Sequence, residues 1–378
     1  MLSDKLINLH PYVPGEQPKD RVYIKLNANE SPYAPHKSVV KAVKKYVTKN
    51  PQKMALYPDP DSNELRSEIA AMLNRTGGVL CNSFDDLPDK KDKIPFEVTP
   101  DMIFTGNGSD EVLSFVFYTF FNPGQPVVTA NFTYSFYPVY AGFYGLTLEQ
   151  VPLKEDWTLD TQKMISFACS NNSPTIFANP NAPTGLALTR NQIRELLLKA
   201  PKDRVFVVDE AYCDFGGESS IPLLQEFKNL VIVRTFSKSF SFAGMRLGYV
   251  VSNPEVVKHL FTVKNSFNHF PCDVLSQQAG IASCKASNYY ARCARLVCQE
   301  RSSIIDFLKS RGWFVLDSTT NFVFAKKDGV QGHAVYEEVK KCGILIRHFA
   351  TPGIDNFVRI SIGTKKQMDL LKKALEKF

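Results

Sequence analysis

Seven short apolar runs, separated by stretches with helical patterning, constrain this chain more than any other feature. They cover residues 102–105, 126–130, 146–151, 175–178, 205–208, 230–233 and 248–252. The runs are rich in β-branched and aromatic residues and poor in charge, so they read as strands covered on both faces. Between them, Ser109-Asp110-Glu111 supplies a cap and an acidic first turn, and Asn122-Pro123-Gly124 a stop. A second helix is capped by Thr189, carries Ile193, Leu196 and Leu197 at helical spacing, and ends before Pro201. Strand–helix alternation over about 150 residues predicts an α/β fold, a mostly parallel seven-stranded sheet flanked by helices.

From about Cys272 the pattern changes. One long helical region is expected over 274–311, stopped by Gly312, then strands at 322–325 and 358–362 and an amphipathic helix over 365–378. This predicts a second, smaller α+β domain. The expected division is a large domain at 49–265 and a small domain built from 1–48 and 266–378, with the N-terminal segment as an arm packed against it. Residues 82–96 hold Asp85, Asp86, Asp89, Lys90, Lys91, Asp92 and Lys93 with two prolines, and read as an exposed excursion.

Composition excludes several function classes. A net charge of +7 on 378 residues, without a dense basic stripe, argues against a nucleic-acid groove. The eight cysteines form no C-x-x-C pair and no regular spacing, so neither a metal site nor a disulfide framework is expected. The longest apolar stretch, around 112–121, is too short for a bilayer, which needs roughly 20 residues. No apolar signal core follows Met1. A soluble cytoplasmic protein with no membrane contact is the expectation.

Chemistry gathers at the ends of the apolar runs. Lys238 follows the run 230–233, flanked by Ser237, Ser239 and Ser241, with Gly244 and Arg246 after it. A lysine amine can form a Schiff base with an aldehyde, and an arginine fork suits phosphate. Asp209 follows 205–208 and precedes Glu210-Ala211-Tyr212. A carboxylate there can keep a pyridine nitrogen protonated, or simply cap a helix. Gly106-Asn107-Gly108-Ser109-Asp110-Glu111 is either a tight turn with a good cap or an anion site at a helix start. Asn179-Pro180-Asn181-Ala182-Pro183-Thr184-Gly185 reads as a rigid turn, and Tyr134 as an aromatic able to stack on a planar ring. Arg347 and Arg359 interrupt apolar surroundings; a charge such as Arg359 inside a strand needs either a structural carboxylate or an anionic ligand.

Taken in order, these segments resemble the fold type I pyridoxal-phosphate aminotransferases, and more narrowly the histidinol-phosphate aminotransferase group. Pro11-Tyr12-Val13-Pro14-Gly15, Leu26-Asn27-Ala28-Asn29-Glu30-Ser31-Pro32, Tyr57-Pro58-Asp59-Pro60, Thr320-Asn321-Phe322 and Arg359-Ile360-Ser361-Ile362-Gly363 extend the resemblance over nearly the whole chain. It implies pyridoxal 5'-phosphate as cofactor, no metal, and Lys238 as its covalent anchor and catalytic base. By the same resemblance Asp209 pairs with the ring nitrogen, Tyr212 hydrogen-bonds the ring oxygen and Tyr134 stacks on the ring. Backbone N–H groups of Ser109 and Asp110, with Ser237, Arg246 and Thr235, hold the phosphate. Tyr57 reaches the cofactor phosphate of the other subunit, which implies a homodimer. Relatives place asparagine where this chain has Ala182, and Asn181 is expected to take over that contact with the ring oxygen.

The resemblance further implies a small-molecule amino donor and a 2-oxo acid, with Arg359 gripping the substrate anion beside Arg347, Tyr12 and Asn27. The expected reaction converts L-histidinol phosphate and 2-oxoglutarate to imidazole-acetol phosphate and glutamate, a step of histidine biosynthesis. An aromatic amino-acid aminotransferase or a threonine-phosphate decarboxylase-like lyase would use the same scaffold. A non-enzymatic regulator on this fold would carry an added DNA-binding segment, and the family-like region already begins at Pro11.

Overall fold

The computed structural model describes residues 9, 11–12, 15–81 and 93–378. Its regular elements begin with strand β1 (Ile24–Lys25), helices α1 (Lys37–Lys49) and α2 (Asn63–Thr76), β2 (Ile103–Gly106), α3 (Gly108–Phe120), β3 (Pro126–Ala130), α4 (Tyr137–Tyr144) and β4 (Thr147–Val151). Next come α5 (Thr161–Asn171), β5 (Thr175–Ala178), α6 (Arg190–Lys199), β6 (Phe206–Asp209), β7 (Leu230–Thr235), β8 (Gly248–Ser252) and α7 (Pro254–Phe267). The chain closes with α8 (Val274–Lys285), α9 (Ser287–Ser310), β9 (Trp313–Val315), β10 (Phe322–Lys327), α10 (Gly332–Lys341), β11 (Ile344–Leu345), β12 (Arg347–His348), β13 (Val358–Ser361) and α11 (Lys365–Leu375).

The seven expected strands form one sheet in the order β2-β8-β7-β6-β5-β3-β4. Strand β8 is antiparallel to β2 and β7, and the other pairs are parallel. Since β8 reverses direction between them, β2 and β7 point the same way. The carboxyl ends of every strand except β8 therefore share one edge, where α/β sheets place their ligands. Alternate residues face opposite sides of a strand. Phe206, Val208 and Ile232 pack on one face with Leu65 of α2, Ile165 of α5 and Ile193 of α6. Val207, Val231 and Val233 pack on the other with Val112 of α3 and Leu260 of α7. Burying one such aliphatic side chain contributes roughly 1.5–3 kcal/mol. Only the edge strand β4 leaves side chains exposed, at Thr147 and Gln150.

A four-stranded antiparallel sheet, β12-β13-β10-β9, forms the smaller unit. Its core includes Val323, Val339, Ile360 and Leu371. The N-terminal segment is shared between the two cores. Strand β1 pairs with β11 and Leu26 joins the smaller core, while Val39 of α1 joins the larger. The single helix expected over 274–311 is two helices, broken at Ala286 (φ −98°, ψ 20°). The break lets them serve different cores: Ala279 and Cys284 of α8 pack with the large sheet, and Val297 and Ile304 of α9 with the small one. Most of the 82–96 excursion lies outside the described residues. Among the described residues no helix is long and apolar enough to cross a membrane.

Candidate active site

Lys238 lies just beyond the carboxyl end of β7 and lines a cleft of about 440 Å³. Its neighbours are pinned. Ser237 N–H donates to Thr235 Oγ1 at 3.1 Å, and Ser239 Oγ donates to Asp214 Oδ2 at 2.6 Å. Asp214 in turn faces the buried Arg234, which pairs with Glu210 at 2.8 Å. The side chain of Lys238 is thus the adjustable part of a fixed loop. Its Nζ sits 5.6 Å from the centroid of the Tyr212 ring, and among the described residues no hydrogen bond or ion pair engages it.

Asp209 is the last residue of β6, one strand away, and only 4% exposed. Its Oδ2 accepts from the Tyr137 hydroxyl at 3.0 Å and its Oδ1 from Ala211 N–H at 3.1 Å. Those bonds favour the anion, but burial outweighs them and pushes the carboxyl up to about 6. Burial also holds the Tyr137 phenol well above its usual range, so Tyr137 remains a donor. Tyr212 is oriented from the other side. Its hydroxyl oxygen accepts from Asn29 Nδ2 at 3.0 Å, which leaves its own proton to give. Asn29 has a left-handed backbone (φ 54°), fixed by Ser361 Oγ and by Asn321 Nδ2.

The turn after β2 meets the loop after Lys238. Helix α3 starts at Gly108, so the N–H groups of Ser109 and Asp110 lie in its first turn and are not used within the helix. Arg246, also left-handed (φ 52°), crosses over this turn. It donates to Ser237 Oγ at 3.3 Å and pairs with Asp110 Oδ2 at 3.0 Å. Strained non-glycine backbone of this kind concentrates at functional sites. A Cβ on Gly108 (φ 82°) would stand 2.4 Å from Arg246 Nη2, so this crossing requires glycine. Asp110 also accepts from the Tyr134 hydroxyl at 2.6 Å, which fixes that ring beside the cleft. The N-cap position falls on Asn107 and not on the expected Ser109, and Glu111 Oε2 accepts from Asn107 N–H at 2.6 Å.

Two arginines also line the cleft. Arg359 on β13 lies opposite Arg347 on β12 in the sheet register. Arg359 donates to the Asn27 carbonyl at 3.2 Å and lies over the Phe322 and Phe349 rings. Burial, assisted by Arg347, holds its guanidinium below the usual range. Among the described residues no carboxylate pairs with Arg359, and its Nε is buried without a partner. Asn27 gives Nδ2 to the Glu16 carbonyl at 2.9 Å, and its buried Oδ1 has no partner among the described residues. Tyr12, packed on Phe136 at 5.2 Å, and Arg347 line the same cleft.

Besides Ser109, Asp110, Asp209, Thr235, Ser237 and Arg246, which the lining of this cleft does not include, two expected residues make their contacts elsewhere. Tyr57 is 83% exposed, stacked on Phe270 at 4.6 Å and outside the lining of this cleft. Asn181 does not stand free for the ring contact expected of it. Its Oδ1 accepts from Thr133 Oγ1, and its two amide hydrogens go to the Phe132 carbonyl and Thr184 Oγ1. Its place is thus a buttress beneath the loop, while Ala182 faces the cleft. Sequence reasoning passed over Tyr137, Asn29, Arg234 and Glu210. Arg234 carried the same signal as Arg359, a charge inside an apolar run. Tyr137 and Asn29 carried none, because their contacts are made across the fold.

These residues fit pyridoxal phosphate. Asp209 is a buried acid with no cation paired to it among the described residues, suited to a protonated ring nitrogen. Lys238 is an unengaged amine at cleft level, and the Gly108–Arg246 crossing supplies N–H groups and a guanidinium for a phosphate.

Known proteins place the chain in a family. The family model for aminotransferase class I and II matches residues 21–376. The histidinol-phosphate aminotransferase of Syntrophus aciditrophicus is 44% identical to this chain, covering 100% of it and 98% of its own length. That of Clostridium acetobutylicum is 41% identical, covering 97% and 95%. In fold, the chain matches the Sinorhizobium meliloti histidinol-phosphate aminotransferase in complex with pyridoxal-5'-phosphate, with a TM-score of 0.79 at 24% identity over 94% of this chain and 91% of that one. Thermus thermophilus aspartate aminotransferase with maleate gives 0.79 at 21% identity, over 100% and 98%. The chain belongs to the class I and II aminotransferases, a family of pyridoxal-phosphate enzymes.

Proposed function

We propose that this enzyme transfers the amino group of L-histidinol phosphate to 2-oxoglutarate, releasing imidazole-acetol phosphate and glutamate. The observation that carries the reading is the pair of arginines, Arg347 and Arg359, lining the same cleft as Lys238, with no carboxylate paired to Arg359 among the described residues. That end of the cleft suits a substrate phosphate, or the distal carboxylate of the second substrate. Curated relatives that are 37–44% identical over nearly their full length are histidinol-phosphate aminotransferases, which supports the same choice.

In this reading the bound cofactor supplies an electron sink for the charge that develops at the substrate Cα. Lys238 Nζ accepts the Cα proton and returns it to the neighbouring carbon, acting as base and then acid. Asp209 would face the ring nitrogen and hold a positive charge there. Tyr212, aimed by Asn29, would donate to the ring oxygen, and Tyr134 would stack on the ring. The N–H groups of Ser109 and Asp110, the Ser237 hydroxyl and Arg246 hold the phosphate, with Thr235 shaping the loop. The Asp110 carboxylate aligns Arg246 and Tyr134. Arg359, Arg347, Tyr12 and Asn27 bind the substrate's anionic end.

We read the enzyme as a cytoplasmic homodimer, in which the exposed Tyr57 reaches the cofactor phosphate of the partner subunit. The test is a substrate panel of histidinol phosphate, phenylalanine, tyrosine and threonine phosphate, each with 2-oxoglutarate. Turnover of histidinol phosphate well above the others is expected, and Lys238→Ala should abolish both turnover and visible absorbance. Turnover of an aromatic amino acid alone would overturn the assignment.

A further inference from the structure

A lysine in the last turn of α7 is spent on a surface loop. Lys264 has only 1% of its side chain exposed. Its ammonium donates to the Pro60 carbonyl at 2.8 Å, to Asp61 Oδ1 at 2.9 Å and to the His269 carbonyl at 3.4 Å. An ammonium has three N–H donors, so all three are used. Two of the bonds end on the segment that carries Tyr57, and the third on the segment that carries Phe270. Those two aromatic rings are the ones stacked on each other, 4.6 Å apart and within 11° of parallel.

A second buried side chain joins the same two segments. Gln277 of α8 gives one amide hydrogen to the Asp59 carbonyl at 3.1 Å and the other to the Cys272 carbonyl at 3.0 Å. Asp59 also receives the N–H groups of Asp61 and Asn63, at 3.0 and 2.7 Å, which fixes the turn into α2. The Phe270 segment is anchored at its start as well, where Asn268 Nδ2 donates to Glu111 Oε1 at 2.8 Å. Burying a lysine costs desolvation, which is offset here by the Asp61 carboxylate and two carbonyls. Nothing in this chain's own cleft needs that turn, yet it presents a tyrosine that is 83% exposed.

We propose that Lys264 is a positioning residue for the partner subunit's cofactor site: it clamps the Tyr57 and Phe270 segments together, and so aims the Tyr57 hydroxyl at the partner's cofactor phosphate. This rests on the reading of Tyr57 given above. A phenol stacked on Phe270 has little freedom to rotate, so the ring enters the partner's site already aligned. The clamp acts through the Tyr57 hydroxyl alone, so its effect on cofactor binding requires that hydroxyl.

The test is a double-variant cycle on the full-length protein, read as the dissociation constant of pyridoxal phosphate when the apoenzyme is titrated and followed by visible absorbance. Tyr57→Phe should weaken binding about tenfold, the effect of losing a hydrogen bond to a charged acceptor. Lys264→Met should weaken it by a similar factor. Phe270→Leu removes the stacking surface without stranding a buried charge, and should do the same if Lys264→Met folds poorly. In the Tyr57→Phe background both changes should alter binding by less than about twofold, because coupled residues do not add. Equal weakening in both backgrounds, or none in either, overturns the role of Lys264. If Tyr57→Phe alone leaves binding unchanged, the Tyr57 reading itself fails, and the clamp's purpose with it.

Discussion

Replacing Asp209 with asparagine should stabilise the apoenzyme while weakening its hold on the cofactor. In the folded chain, burial raises this carboxyl from an ordinary 3.8 to about 6. A rise of that size, at about 1.4 kcal/mol per tenfold, makes the buried anion cost ~3 kcal/mol. The sign follows from where the proton binds more tightly. A carboxyl raised on folding contributes its stability below pH 3.8 and loses it as the pH rises through about 6. Above that, the apoenzyme carries an uncompensated buried charge. Asparagine removes the charge and can still accept from Tyr137, although its amide must turn away from Ala211 N–H. The net gain for the Asp209→Asn apoenzyme at pH 8 should therefore be about 1–3 kcal/mol, shrinking towards zero at pH 4. Urea unfolding of both apoproteins across that pH range measures it. A variant less stable than the parent at pH 8 would show that the hydrogen bonds outweigh desolvation. Cofactor titration of the same samples should show weaker binding by the variant, since the cation's partner is gone.

Three further outcomes follow from the geometry. Gly108→Ala forces a Cβ to within 2.4 Å of Arg246 at a left-handed φ, and should raise the cofactor dissociation constant by more than tenfold in apoenzyme titrations. Asn181→Ala should cost about 1–3 kcal/mol in urea unfolding, from the stranded partners at Phe132 and Thr133, with the cofactor absorbance maximum unmoved. A shifted maximum would return Asn181 to the ring. Arg359→Ala should lower kcat/KM for histidinol phosphate and for glutamate by at least about a hundredfold, as expected for a lost charge-assisted pair; an effect under tenfold in steady-state assays would place the anion elsewhere.

Much of the fold was legible because it depends on local pattern. Runs such as 205–208 and 230–233 are apolar throughout, so only a strand covered on both faces accommodates them. The helix break at Ala286 was not legible, since the residues around it continue a helical pattern. It follows from which core each half must reach. The sites divide in the same way. Lys238, Asp209, Tyr212 and Arg246 stand next to strand ends, where the sheet order alone brings them to one edge. The engagement of Asn181 was not legible, because its Oδ1 accepts from Thr133 and one amide hydrogen goes to the Phe132 carbonyl, both some fifty residues earlier in the chain, while the other goes to Thr184.

What the amino-acid sequence determined by itself is the sheet, its flanking helices and the residue types at its ligand-binding edge, since periodicity and strand-end position are properties of neighbouring residues. What only the tertiary structure decided is the environment of each group. Asp209 becomes a weaker acid than usual because burial strips it of water, against the opposing pull of its hydrogen bond from Tyr137. Tyr212 keeps its proton to give because Asn29, far away in the chain, supplies one to its oxygen. Lys264, by composition a surface charge, becomes a buried clamp because three carbonyl and carboxylate oxygens converge on it. Desolvation and hydrogen-bond direction are set by groups that no short window of sequence contains, and they are what turn a suitable set of residues into a site.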